Sequence, residues 1–146
     1  MLIGQFRSKI SPKGRVAFPK RFREELGDSL VVTVGYEKSL MVVSSKEWKA
    51  LIEGTEGKPF VLNSARDTNR FLLGEATEVA LDEQGRFILP SYLREYAQIS
   101  EEVVFLGLNK YAEIWDKKVW EEYQKYLHEN IGEIAKRLGS SNAEKQ

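Results

Sequence analysis

The chain has 146 residues, of which 42% are hydrophobic and 30% charged, a composition typical of a folded globular protein and not of a disordered one. It contains no cysteine, which excludes disulfide bonds, thiolate zinc sites and thiol nucleophiles. Basic and acidic side chains number 22 each, but residues 1–23 hold seven basic residues and no acidic one, so the net charge of zero conceals a strongly basic N-terminal end.

No stretch of the sequence predicts a secretory leader or a membrane-spanning segment. The N-terminal "MLIGQFRSK" lacks an apolar central region, and the longest apolar runs, "LVVTV" and "VVFLGL", are far shorter than the roughly 20 residues that a spanning helix needs. We therefore expect a cytoplasmic protein.

Residues 1–53 are predicted to form the first structural unit, with a strand, a tight turn, a strand, a short helix, two further strands and a helix. In "PKGR", Gly14 occupies the position where a hairpin turn requires a positive φ. Pro19 follows the second strand and suits the first turn of a helix, where its missing N–H costs nothing. Ser44 and Glu47 form a capping-box pattern before the last helix.

Residues 75–116 are predicted to form a second unit, which together with the helix that follows it repeats this order of elements. "DEQGRFILPSYLRE" (82–95) matches "SPKGRVAFPKRFRE" (11–24), and the identical positions are Gly85, Arg86, Pro90, Arg94 and Glu95. Residues 54–74 between the units are predicted as a linker loop followed by a helix from about Val61 to Leu73. A unit of this size buries too little surface to fold alone, so we expect the two units to pack as a pseudo-twofold pair.

The last part of the sequence, residues 117–139, is predicted as a long helix. Asp116 is its expected N-cap, Gly139 its expected end, and residues 140–146 a frayed tail. Its apolar residues recur every three or four positions and are Trp120, Tyr123, Leu127, Ile131, Ile134 and Leu138.

Catalytic patterns are absent from the sequence. His128 is the only histidine and lies in a charged helical run, where a surface position is the favoured interpretation. A serine triad would therefore lack its base, no glycine loop has phosphate-binding spacing, and no carboxylates cluster with histidine as metal ligands do. We predict that the protein is not an enzyme and holds no metal or cofactor.

The two glycine turns predict a nucleic-acid surface. Arg15 and Arg86 each follow a turn glycine, at the tip of a two-stranded ribbon, where a guanidinium can contact phosphate or the guanine edge in the major groove. Lys13 flanks the first turn, and Arg7 and Lys9 share one face of the preceding strand by period-two alternation. Since the second unit keeps only Arg86 among these positions, the first unit is predicted to be the main DNA-binding surface.

Three further charged residues near the turns have alternative roles. Asp82 either caps the backbone of the second turn or orients Arg86, and the two roles are compatible. Arg23 and Arg94 each lie beside a glutamate in a short helix, where a structural ion pair is favoured over a DNA contact.

Several segments closely resemble the MraZ family of bacterial regulators, over nearly the whole chain: "MLIGQFRSKISPKGRVAFPKRFREEL", "LDEQGRFILPSYLREYA" and "YAEIWDKKVWEEY". That family has two D-x-x-x-R motifs. The second is intact here as Asp82 to Arg86, whereas Ser11 replaces the acid of the first and is able to cap the turn instead. The resemblance implies an α+β, mainly β fold, in which tandem AbrB-like swapped-hairpin halves form an intramolecular pseudo-dimer followed by a long C-terminal helix.

The resemblance also implies a function. It implies a homo-oligomeric ring that binds double-stranded DNA at short tandem repeats upstream of the division and cell-wall gene cluster, usually as a repressor. It further implies a cytoplasmic, nucleoid-associated protein. From the sequence we expect no membrane partner, and no small-molecule ligand is evident. The alternative hypothesis is a ring-forming assembly or adaptor protein whose basic face binds an acidic protein or RNA.

Overall fold

The repeated order of elements predicted from the sequence is present in the computed structural model, which describes residues 1–55 and 63–144. The first half contains β1 (Leu2–Lys9), β2 (Arg15–Ala17), α1 (Lys20–Leu26), β3 (Ser29–Val34), β4 (Leu40–Ser44) and α2 (Ser45–Thr55). The second half contains α3 (Asn63–Leu72), β5 (Thr77–Ala80), β6 (Arg86–Ile88), α4 (Ser91–Tyr96), β7 (Glu102–Asn109), β8 (Tyr111–Asp116) and α5 (Lys117–Glu144).

The strands form a six-stranded antiparallel sheet in the order β1-β7-β8-β4-β3-β5 and a two-stranded sheet of β2 and β6. Three adjacent pairs in the large sheet join the two halves, namely β1 with β7, β4 with β8 and β5 with β3. Neither half therefore completes a sheet by itself. The expectation of an α+β, mainly β fold built from tandem halves is confirmed.

The two-stranded ribbon is not the local hairpin that the sequence suggested. β2 pairs with β6 of the other half, while β1 pairs along its whole length with β7 and meets β2 through the bridge between Ile10 and Val16. Because β1 finds eight partners in β7 and β2 offers only three residues, the long strand joins the large sheet. The ribbon thus consists of one short strand from each half.

The inner face of the ribbon closes the core. Val16 and Phe87, which are paired in the ribbon, are 1% and 3% exposed. Phe18 lies beside them and makes edge-to-face contacts with the rings of Phe22, Phe87 and Phe105 at centroid distances of 5.9, 6.2 and 5.5 Å. Aromatic packing therefore fixes the ribbon against the large sheet.

The predicted helix caps are confirmed at two positions. The Glu47 amide donates to Ser44 Oγ at 3.1 Å, and the amides of Lys118 and Val119 donate to Asp116 Oδ2 at 3.1 and 3.2 Å. Pro19 and Pro90 are the N-cap residues of α1 and α4.

The predicted end of the last helix is wrong. α5 continues through Gly139 to Glu144. A glycine costs a helix only about 1 kcal/mol relative to alanine and keeps both backbone hydrogen-bonding groups, so it does not stop a helix by itself. For the linker helix, the predicted start at Val61 lies outside the described residues, and α3 ends at Leu72, one residue before the prediction.

The start of α5 packs on the outer face of the large sheet. The rings of Trp120 and Trp115 pack edge to face with their centroids 5.2 Å apart. Trp120 Nε1 also donates a hydrogen bond to Gln5 Oε1 of β1 at 3.2 Å. None of the helices in the described part of the chain is long and apolar enough to cross a membrane.

Candidate nucleic-acid interface

Two turns, residues 11–15 (the first turn) and residues 82–86 (the second turn), have the same backbone hydrogen bonds. In each turn the glycine amide donates to the carbonyl three positions earlier, at 2.9 Å in the first turn and 3.0 Å in the second. The φ angles of Gly14 and Gly85 are +89° and +76°, which confirms the predicted requirement for glycine. The turns therefore present the arginine that follows each glycine in equivalent backbone settings.

The side chain that caps each turn differs between the halves. In the first turn Ser11 Oγ accepts a hydrogen bond from the Arg15 amide at 3.0 Å. In the second turn Asp82 Oδ1 accepts from the amides of both Gln84 and Arg86, each at 2.9 Å. Serine therefore replaces aspartate as the cap of the first turn, but without the negative charge.

Asp82 also orients the side chain of Arg86, so both roles predicted for it are present. Arg86 Nε forms an ion pair with Asp82 Oδ2 at 3.5 Å, and Arg86 Nη2 donates to Gln84 Oε1. The amide of Arg86 is the main cause of a lowered pKa of Asp82, helped by the Gln84 amide and the positive charges of Arg86 and Arg15, against partial desolvation. This carboxylate is therefore ionised at neutral pH.

Arg15 has a different setting, because Ser11 cannot form an ion pair with it. Its side chain is exposed, and among the residues that the structure describes no carboxylate forms an ion pair with it. Lys13, two residues earlier, is exposed as well. The first turn therefore offers two solvated positive charges to an incoming ligand.

The register of the ribbon places both arginines on one outer face. Arg15 pairs with Ile88 and Ala17 with Arg86, on either side of a buried middle pair. Since directly paired residues point to the same side of a sheet and neighbours along a strand to opposite sides, these four side chains share the solvent face. The sequence predicted each arginine at the tip of its own ribbon; the structure has both arginines on a single ribbon.

Arg94 supports the first turn from the other half. Its Nε donates to the Leu89 carbonyl at 2.9 Å and its Nη1 donates to the Pro12 carbonyl at 3.2 Å. An ideal Cβ on Gly14 would lie 2.9 Å from Arg94 Nε. This arginine is a structural brace, and its hydrogen bonds go to carbonyl groups where the sequence suggested an ion pair.

Arg23 has the corresponding place at the second turn. Its Nε forms an ion pair with Asp28 Oδ1 at 2.8 Å, and its Nη1 would lie 3.2 Å from a Cβ on Gly85. The favoured structural role agrees with this ion pair, whose partner is Asp28. Each turn is thus contacted by an arginine from the opposite half.

Arg7 and Lys9 lie in a different sheet from Arg15. Both are exposed on one face of β1, as alternation predicted. Gln5 belongs to the same face and accepts the hydrogen bond from Trp120 of α5, so this face is the one on which α5 begins. Arg7 and Lys9 therefore belong to the large sheet and are not residues of the ribbon that carries Arg15.

One exposed residue on the outer face of the ribbon, Ile88, was not predicted from the sequence. Ile88 is 54% exposed. Alternation from the buried Phe87 was the signal that could have placed Ile88 outside.

His128 is exposed on α5, as predicted. Within the described ranges no three histidine, aspartate or glutamate side chains are grouped as metal ligands would be.

Comparison with known proteins agrees with the presence of two repeats in the chain. The family model described as "MraZ protein, putative antitoxin-like" matches twice, over residues 1–71 and 72–140. A protein named transcriptional regulator MraZ from Caldanaerobacter subterraneus is 44% identical over 97% of this chain and 99% of its own length. Proteins of the same name from a Thermoanaerobacter species and from Natranaerobius thermophilus are 42% and 39% identical, over 97% and 94% of this chain and 99% and 96% of their own lengths. The chain therefore belongs to the MraZ family.

Proposed function

We propose that this protein is a sequence-specific, DNA-binding transcription regulator that acts as a repressor. The observation that carries the proposal is the shared outer face of the ribbon, on which Arg15 and Arg86 lie together. The names of the relatives, which are transcriptional regulators, support the same class of function.

The two arginines suit complementary contacts with duplex DNA. A two-stranded ribbon fits the major groove, and an arginine fork matches guanine O6 and N7 or two phosphate oxygens. Arg86 is held by Asp82 and Gln84, so it loses less conformational entropy when it binds. Arg15 is exposed and joins Lys13 in attracting the phosphate backbone, with Arg7 and Lys9 as additional positive charges on β1.

One chain offers a single ribbon, so we propose that binding depends on a homo-oligomeric ring. Ribbons of neighbouring protomers would then meet short DNA repeats separated by about one helical turn, roughly 10 base pairs. Simultaneous contacts raise the effective local concentration of each ribbon, so avidity supplies much of the affinity. The proposed targets are repeats upstream of the division and cell-wall gene cluster, in the nucleoid of the cytoplasm.

The proposal is tested by a footprint on DNA upstream of the protein's own gene, followed by titration of the footprinted duplex at several salt concentrations. We expect log K to fall with log salt by about 0.9 for each phosphate neutralised. Lys13→Gln should reduce this slope, whereas Lys136→Gln, on the distal part of α5, should leave it unchanged.

Two results would contradict the proposal. An affinity independent of salt would remove the electrostatic contribution. Equal affinity for the footprinted duplex, a scrambled duplex and an RNA of the same length would instead favour the adaptor hypothesis.

A further inference from the structure

The outer face of the ribbon carries an aliphatic side chain between its two arginines. Ile88 is directly opposite Arg15 in the ribbon and two residues from Arg86 on its own strand. It is 54% exposed. A hydrophobic group thus lies within the surface that we propose to contact DNA.

The fold does not require isoleucine at this position. Ile88 belongs to neither of the two core clusters, and the ribbon is anchored through its opposite face by Val16 and Phe87. The equivalent residue of the first half is Ala17, which pairs with Arg86 as Ile88 pairs with Arg15. Since the same backbone position accepts a single methyl group in one half, packing of the ribbon does not explain the larger side chain in the other.

Thymine offers the matching apolar group in DNA. Its 5-methyl group is the only apolar substituent among the base edges of the major groove, and aliphatic contact with it distinguishes thymine from cytosine. Paired residues of a ribbon have Cβ atoms about 5 Å apart, and alternate residues of a strand are about 6.6 Å apart. Both spacings correspond to one or two base-pair steps of about 3.4 Å.

Resting on the proposed DNA-binding function, we propose that Ile88 reads the 5-methyl group of a thymine one or two base pairs from a base contacted by Arg15 or Arg86. Ile88 is then a specificity-determining residue, which adds an apolar requirement to the hydrogen-bonding requirement set by the arginines. Ala17, with one methyl group opposite Arg86, makes the corresponding position in the first half less selective.

The test replaces each thymine of the footprinted duplex in turn by deoxyuridine, which removes the methyl group and keeps every hydrogen-bonding group. For the full-length protein we expect one position in the repeat at which affinity falls about fourfold, the effect of one methyl-sized apolar group. Ile88→Ala should bind the thymine duplex at least fourfold less tightly, because every ribbon that contacts the DNA loses the methyl contact, and it should show no further loss with deoxyuridine at that position. Ile3→Ala is the matched control, because Ile3 is 52% exposed on β1, away from the ribbon, and should behave like the unmodified protein.

Three results would overturn the inference. The first is a protein that binds specifically but responds to deoxyuridine at no position; the second is an Ile88→Ala variant that responds as strongly as the unmodified protein. The third is a change of oligomer mass for Ile88→Ala in light scattering, which would make Ile88 a contact between subunits. If the unmodified protein does not prefer the footprinted duplex over a scrambled one, the proposed function itself fails, and this inference fails with it.

Discussion

The first and second turns have the same backbone but opposite electrostatics. Residues 11–15 contain two basic side chains and no acidic one, whereas residues 82–86 contain two acidic side chains and one basic one. Serine caps the first turn and leaves its arginine exposed, while aspartate caps the second and holds its arginine. The two halves therefore share the geometry of the turn, which depends on glycine and backbone hydrogen bonds, and differ in the charge that the turn carries.

We expect this difference to give the two turns different roles in DNA binding, long-range attraction for the first and directed hydrogen bonding for the second. A solvated positive charge draws the protein toward phosphate over distances set by ionic strength, while a held guanidinium is ready to form directed hydrogen bonds. We therefore expect the first turn to contribute more to the salt dependence of DNA binding, and the second turn to contribute more to base selectivity.

The largest effect is expected from removal of the turn arginines. Each lost bidentate contact costs about 1–3 kcal/mol per ribbon, so Arg15→Ala should abolish specific binding once several ribbons act together. Arg86→Ala should also lose specificity, but with a smaller change in salt slope, because Asp82 already compensates its charge. Salt-dependent titrations distinguish the two variants.

The control for these variants is the state of the folded protein. The oligomer mass from light scattering and the midpoint of thermal unfolding should be unchanged for Arg15→Ala, because within the described part of the chain this side chain is exposed and forms no ion pair. An Arg15→Ala protein that unfolds or dissociates would show that this residue is structural.

A smaller but distinct effect is expected when each turn glycine is replaced by alanine. A Cβ on Gly14 would lie 2.5 Å from the Leu89 carbonyl oxygen, a backbone atom, whereas a Cβ on Gly85 would meet the flexible end of Arg23 at 3.2 Å. Both substitutions should lower the free energy of unfolding by about 1–2 kcal/mol, because φ is positive at each glycine. We expect Gly14→Ala to cost about 3 kcal/mol or more, within the range of severe point mutations. Urea unfolding measures both, and equal costs would contradict the difference between the turns.

The smallest effect is expected when the caps are exchanged. Ser11→Asp should stabilise the first turn by about 0.5–1 kcal/mol, because a carboxylate accepts amide hydrogen bonds more strongly than a hydroxyl group. Asp82→Ser should destabilise the second turn. The pKa of Asp82 is lowered in the folded protein, so its carboxylate stabilises the fold above the unfolded pKa of about 3.9. This stabilisation is lost as the pH falls through the folded pKa. The effects of both substitutions on the free energy of unfolding should therefore be smaller in acid.

Unfolding midpoints at pH 7 and pH 3 test this exchange. Glu83→Gln removes a charge from the same turn without removing a cap, so it is the matched control for Asp82→Ser. A pH-independent effect of Asp82→Ser would show that the charge of Asp82 does not contribute.

Local features of the fold could be predicted from the sequence, and long-range partners could not. The turn glycines, the Ser44 and Asp116 caps and the apolar positions of the repeat depend on neighbouring residues, and each has a recognisable pattern. The pairing of β2 with β6 has no such pattern, because three residues do not specify a partner. The contact from Arg94 to Pro12 joins residues 82 positions apart and arises only from the crossing of the halves.

The pairing of β1 with β7 also determines when the protein can fold during its synthesis. Leu2 is paired with Asn109, so the partner of the first strand is translated about 100 residues later, a delay of roughly 5–20 s at ordinary elongation rates. Arg94, which braces the first turn, is translated late as well. A ribosome that stops before Arg94 therefore releases a chain that lacks both the brace of the first turn and the strand that pairs with β1.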